Sequence, residues 1–270
     1  MERRKGRIRL SPTSVMHYLK LVFRSCLLLA ATAVYVVSRV RTGSGSMESL
    51  MRYPAVLVII WVVFVVEMIL RFFPSRIESM GCQKQFEKNY VPVPGGAMPP
   101  KSERNHGVLA VLIAWLALNG VIGALYFAHV IDAGILILIS LVFSVCDMIC
   151  ILFFCPFQTW FMKNKCCTTC RIYNWDYPMM FTPLIFIPSL FTWSILAVAL
   201  GLLVKWEVEY YRHPERFYES SNQSLACKNC REKLCHHKKA LRQLWARQKA
   251  VVQEKLPPLP GRKKNPPKEI

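Results

Sequence analysis

GILILISLVFSVCDMICILFFCPFQTWFMKNKCCTTC, residues Gly134 to Cys170, runs from an apolar stretch directly into a cysteine-rich loop. The apolar part, 134–154, holds one acid, Asp147, and otherwise only Gly, Ser, Cys, Met and large apolar side chains. About 20 such residues form a helix long enough to cross the ~30 Å hydrocarbon core of a bilayer. Four more stretches have this character: 18–38, 54–73, 107–127 and 182–204. Backbone in lipid must satisfy its own polar groups, which favours helices. The expected fold is therefore an all-α integral membrane protein with about five transmembrane helices, or four if the first is interfacial.

Composition agrees. Of 270 residues, 53% are hydrophobic, and the mean hydropathy is +0.28; soluble domains have about 45–50% apolar residues. The chain divides into a basic head (1–17), a transmembrane domain (18–204) with a Cys-rich loop at 155–181, and a basic tail (205–270). No internal repeat is evident. The net charge is +19, from 35 Lys+Arg against 16 Asp+Glu. In a membrane protein such charge anchors the ends of spans and contacts anionic lipid. No aromatics interleave with the basic residues, which argues against nucleic acid.

The cysteines carry the chemistry. Cys155, Cys166, Cys167 and Cys170 form C-P-x9-C-C-T-T-C, and Cys227, Cys230, Cys235, His236 and His237 form C-K-N-C-R-E-K-L-C-H-H. Clustered soft ligands with C-x2-C spacing suit tetrahedral Zn2+ or an iron–sulfur cluster. Neither run repeats a standard ferredoxin pattern. The tail opens like a zinc knuckle, then places Cys where that motif has His. Its C-x4-C-H also departs from the C-x-x-C-H of haem attachment, so haem is disfavoured. Disulfides would suit whichever cluster meets an oxidising compartment, and thiol exchange through the C-x-x-C pairs is a further alternative.

Arg171 is placed to pair with Asp176, or to offer charge to a cofactor or an anionic headgroup; Tyr173, Trp175 and Tyr177 fit an interfacial aromatic belt. Glu67 and Asp147 are the acids inside apolar stretches, where ionisable groups are costly and paired or functional. If their spans run in the same direction, both acids lie at similar depth on the side of the cysteine loop. Beside thiols they could move protons for quinone chemistry or bind a cation. The plainer alternatives are a Glu67–Arg71 pair at i,i+4 and a bond from Asp147 to a neighbouring helix. Cys146 and Cys150 flank Asp147 one turn apart. Asn119 is expected to hydrogen-bond between helices, and His129 and Asp132 to lie in a short interfacial turn.

Lys20 and Arg24, early in the first span, are expected to snorkel to the interface. No A-x-A-like cleavage site follows, so the segment is expected to be retained. Val91–Pro100 (VPVPGGAMPP) should be extended, Pro183 and Pro188 should kink the last span, and His237–Lys255 reads as a basic amphipathic helix. If 182–204 crosses the membrane, the two cysteine clusters fall on opposite faces; a re-entrant stretch would be needed to unite them. Asn222-Gln223-Ser224 is a glycosylation sequon only for a luminal tail.

The function expected from this pattern is a multi-pass protein of the plasma or cytoplasmic membrane that binds metal and transfers electrons at the membrane surface with a protein redox partner. A zinc-stapled scaffold or assembly factor, and a small transporter or channel subunit, are the alternatives.

Overall fold

The structure is a computed structural model that describes residues 12–42, 54–74, 80–97, 101–162 and 170–229. The described residues are mostly helical, with one isolated β-bridge, Pro92 to Asn222, and no strand among them. The principal helices are α1 (Pro12–Thr42), α2 (Pro54–Leu70), α3 (Lys101–Phe127), α4 (Ala133–Leu152), the short α5 (Asp176–Phe181) and α6 (Leu190–Arg212). Four of them contain segments long and apolar enough to cross a membrane: Ser14–Arg41, Gly107–Phe127, Ala133–Leu152 and Leu190–Arg212. The 17 residues of α2 lie near the ~17-residue lower limit for a span.

Named contacts fix the order of the helices end to end. In α1, Arg24 meets Asp147 near the C-terminal part of α4. Farther along α1, Tyr35 Oη and Arg39 Nη1 both donate to Asp132, at the start of α4. The two helices are therefore antiparallel along their whole length, and α1 does not lie crosswise to the bundle. Asp132 also caps α4 by accepting from Ile135 N at 2.9 Å, as a side-chain oxygen at an N-cap does. The α3–α4 turn closes at His129 with φ 57°, a left-handed position that few residues other than Gly, Asn, Asp and His adopt. His129 and Asp132 thus do lie in a tight turn.

The largest departure from the sequence reading is at the last span. The stretch 182–204 is not one helix. Arg171–Trp175 is a 3-10 turn, Asp176–Phe181 is α5, Thr182–Phe186 is another 3-10 turn, and α6 begins only at Leu190. Prolines account for the breaks. Pro178 and Pro183 each sit in the first turn of their piece, where a missing N–H costs little, and each bars a continuous helix from upstream. The broken segment runs antiparallel to α6: Arg171 and Trp175 bond Glu207 late in α6, while Thr192 at its start bonds the Ile187 carbonyl. The segment 171–186 therefore travels most of the bundle's length, and α6 returns beside it.

One end of the bundle, the cysteine end, carries the start of α1, the ends of α2, α4 and α6, the start of α3, and Cys155 and Cys170. A polar cap closes it. Val93 N donates to Ser221 O and Gln223 N to Val91 O. Asn222 donates to the Lys84 and Arg216 carbonyls at 3.0 and 2.8 Å. Residues 91–97 are non-helical, as their prolines and glycines require. Asn222 is fully buried with its amide engaged, so the sequon is not presented for modification. Trp206 packs edge-on to Phe86 and Phe217. Arg216 pairs with Glu209 and Glu87.

Both cysteine runs begin at this same end. Cys155 follows α4 and Cys227 follows α6, and the broken pass between them restores the chain to its starting side. The opposite-face arrangement expected from a single span at 182–204 is therefore corrected. The helix read at His237–Lys255 lies outside the described residues.

Candidate functional site

At the centre of the site is Arg24. Its side chain is 2% exposed. Nη2 donates to Glu67 at 2.9 Å, and Nη1 donates to Asp147 at 3.1 Å and to the Ser144 carbonyl at 3.0 Å. Lys20 lies 3.3 Å from the other Glu67 oxygen, and Tyr177 Oη donates to Glu67 at 3.0 Å. Arg24 also lies over the Phe64 ring, 5.5 Å from its centroid. So Arg24 does not snorkel: a planar, permanently charged fork in apolar surroundings takes the carboxylates that face it. The two acids meet at one depth because α2 and α4 run in the same direction.

A second pair stands beside the first. Arg71 Nη1 donates to Asp176 Oδ1 at 2.7 Å, and its guanidinium lies 4.5 Å from the centroid of the Tyr177 ring. The expected i,i+4 pair between Glu67 and Arg71 is thus replaced by two tertiary pairs, to Arg24 and to Asp176. Arg171 does not pair with Asp176 either. It donates to Glu207 at 2.7 Å and lies 3.9 Å from the Tyr210 ring centroid, since the broken pass aims it at α6. Tyr173 and Tyr177 are buried rather than interfacial, and Trp175 donates to Glu207. Asn119 donates to the Trp115 carbonyl in its own helix, not across helices.

Next to these charges lies a cavity of about 310 Å³ between α3, α4 and the broken pass. Cys146, Cys150, Cys155 and Cys170 line it, with Asp147 and Asp176. Its other walls include Trp115, Phe143, Phe157 and Met179. Cys155 and Cys170, the two ends of the cysteine loop, thus face one space. Cys155 Sγ accepts from Gln158 N at 3.4 Å, an N–H···S bond of the kind that tunes metal-bound thiolates. Cys170 is 4% exposed.

Cys166, Cys167, Cys230, Cys235, His236 and His237 lie outside the described residues, and Cys227 is exposed at the cap. Among the described residues no three His, Cys, Asp or Glu side chains are arranged to hold a metal ion. Among the described residues, Cys26, Cys146 and Cys227 are free thiols. His17, 2% exposed, has no hydrogen-bond partner for either ring nitrogen among the described residues.

Sequence reasoning missed Arg71, Asp176 and Tyr177 as parts of the buried core. Arg71 follows the apolar run of α2 directly, and Asp176 sits between aromatics; both look interfacial until the broken pass is known. No family model, curated protein or solved structure matches this chain.

Proposed function

We propose that this chain is a multi-pass integral membrane protein of the plasma or cytoplasmic membrane that holds a thiol-ligated metal centre at the membrane surface and moves electrons there. Cys155, Cys166, Cys167 and Cys170 would be its ligands. The observation that carries the reading is that Cys155 and Cys170, from opposite ends of the loop, line one cavity beside buried acids. Four thiolates suit an iron–sulfur cluster. Glu67 and Asp147 first compensate Arg24; with Asp147 at the cavity wall, it is the better candidate for handling protons.

The test is metal analysis and absorption spectroscopy on anaerobically purified protein, beside the Cys167→Ser/Cys170→Ser variant. Stoichiometric iron with a broad visible thiolate-to-iron band, lost in the variant, is expected. Protein without iron or redox-active thiols refutes the reading.

One observation favours the zinc-stapled scaffold as the second reading: loop and tail runs both begin at the capped end, where residues 80–97 and 213–229 are already tied together. Stoichiometric zinc without redox activity would select it.

The cysteine end is assigned to the cytoplasm. With the broken segment counted as a pass, the connections at the other end carry Arg39, Arg41 and Arg52 as their basic residues, against the basic head, loops and tail at the cysteine end. Lys and Arg in short connections face the cytoplasm. The basic head and tail then meet anionic lipid on that side. Reporters fused ahead of residue 12 and after residue 229 should both report a cytoplasmic position, and one inserted at 43–53 an external one. Opposite positions for the two ends would overturn the assignment.

A further inference from the structure

We propose that the 310 Å³ cavity is a binding site for a lipid-soluble quinol, a flat ring bearing hydroxyl groups. This rests on the membrane redox reading above and names the lipid-phase carrier.

Three features of the cavity select that ligand. Its volume is at the lower end of the ~300–1,000 Å³ typical of small-molecule sites. That admits a ring headgroup with the first carbons of a tail, and excludes a whole phospholipid. Trp115, Phe143 and Met179 supply aromatic and polarisable surface that suits a flat conjugated ring. The charged part of the wall is Asp147 and Asp176, with Gln158 and four thiols also in the lining. Both are ion-paired, to Arg24 and Arg71, and an ionised carboxylate only accepts hydrogen bonds.

Asp147 is the sharper case. Its side chain is 16% exposed and lines the cavity. Oδ2 accepts from Arg24. An ionised carboxylate with surface at a cavity wall accepts further hydrogen bonds from a ligand that can donate them. A quinol hydroxyl donates; a quinone carbonyl only accepts and would face the acids unfavourably. The site therefore distinguishes the two redox forms of one carrier.

The experiment uses the full chain in lipid nanodiscs under anaerobic conditions. Binding of a short-chain benzoquinol, and separately of its quinone, is followed by calorimetry, with metal content measured on the same preparation. The quinol should bind saturably at one site, about tenfold tighter than the quinone, the size of roughly 1.4 kcal/mol. Met179→Trp, which fills the cavity from the broken pass, should weaken quinol binding by about tenfold or more. Asp147→Asn should reduce the preference for quinol over quinone. No saturable binding to the wild type overturns the inference. So does binding that Met179→Trp leaves unchanged in a variant that elutes as folded protein, or a cavity that retains phospholipid no quinol displaces. Iron without quinol binding would sink the ligand and leave the redox reading; quinol binding without iron would do the reverse.

Discussion

Arg24→Met is expected to remove most folded protein from the membrane fraction. The substitution leaves Glu67 and Asp147 facing each other across the space that the guanidinium occupied, with only Lys20 and Tyr177 in reach of Glu67. Losing one partner of a buried ion pair costs about 3–5 kcal/mol, chiefly because the remaining charge is buried without compensation. That is much of the ~5–15 kcal/mol that holds a typical native protein together. The triple variant Arg24→Met/Glu67→Gln/Asp147→Asn removes the stranded charges with their partner. It should recover most of the loss, because neutral polar or apolar groups of similar shape often replace a buried ion cluster at little cost. Thermal unfolding and yield in detergent, compared across wild type, single and triple variants, check this. A single variant as stable as the wild type would show that Arg24 is not the hub of the bundle.

Arg71→Leu is the second severe change expected. It strands Asp176, whose side chain is 7% exposed, and removes the cation from the faces of Tyr177 and Tyr173. The loss should again approach about 3–5 kcal/mol. Its signature differs from that of Arg24. Asp176 is the first residue of α5, so the broken pass should loosen while α1 stays docked on α4. Hydrogen exchange would then rise across 171–186 before it rises in α1. Equal loosening of both segments would count against two separable pairs. Asp176→Asn added to Arg71→Leu should restore part of the loss.

Much of the fold could be read from hydropathy. Runs of apolar residues at 54–73, 107–127 and 134–154 became helices near those bounds, because length and lack of charge decide the matter for a single segment. The last span misled because hydropathy averages over a window and carries no direction. Thr182–Phe186 and Leu190–Val204 are both apolar and adjoin, so they read as one run, yet they travel in opposite directions around Pro188. The charges misled for a related reason. Lys20 and Arg24 lie near the start of α1, where snorkelling is the cheaper local solution. The acids that hold them come from residues 67 and 147, and no local pattern reveals that meeting. Asp147 beside Cys146 and Cys150 was legible as a site because all three share one helix. That Cys155 and Cys170 close the same cavity depended on the path of the intervening chain.

The broken pass also bears on how such a chain is made. A continuous apolar helix partitions into lipid on its own account, since it satisfies its backbone internally. Residues 171–186 are interrupted at two places and carry Arg171, Asn174 and Asp176, whose partners are Glu207 on α6, Gln85 in the cap and Arg71 at the end of α2. Two of those partners have already been synthesised when the segment emerges from the ribosome; Glu207 has not. In a membrane its entry would therefore be coupled to the arrival of α6, the two going in together as a hairpin turning at residues 187–189. The cysteine end of the bundle would then close last.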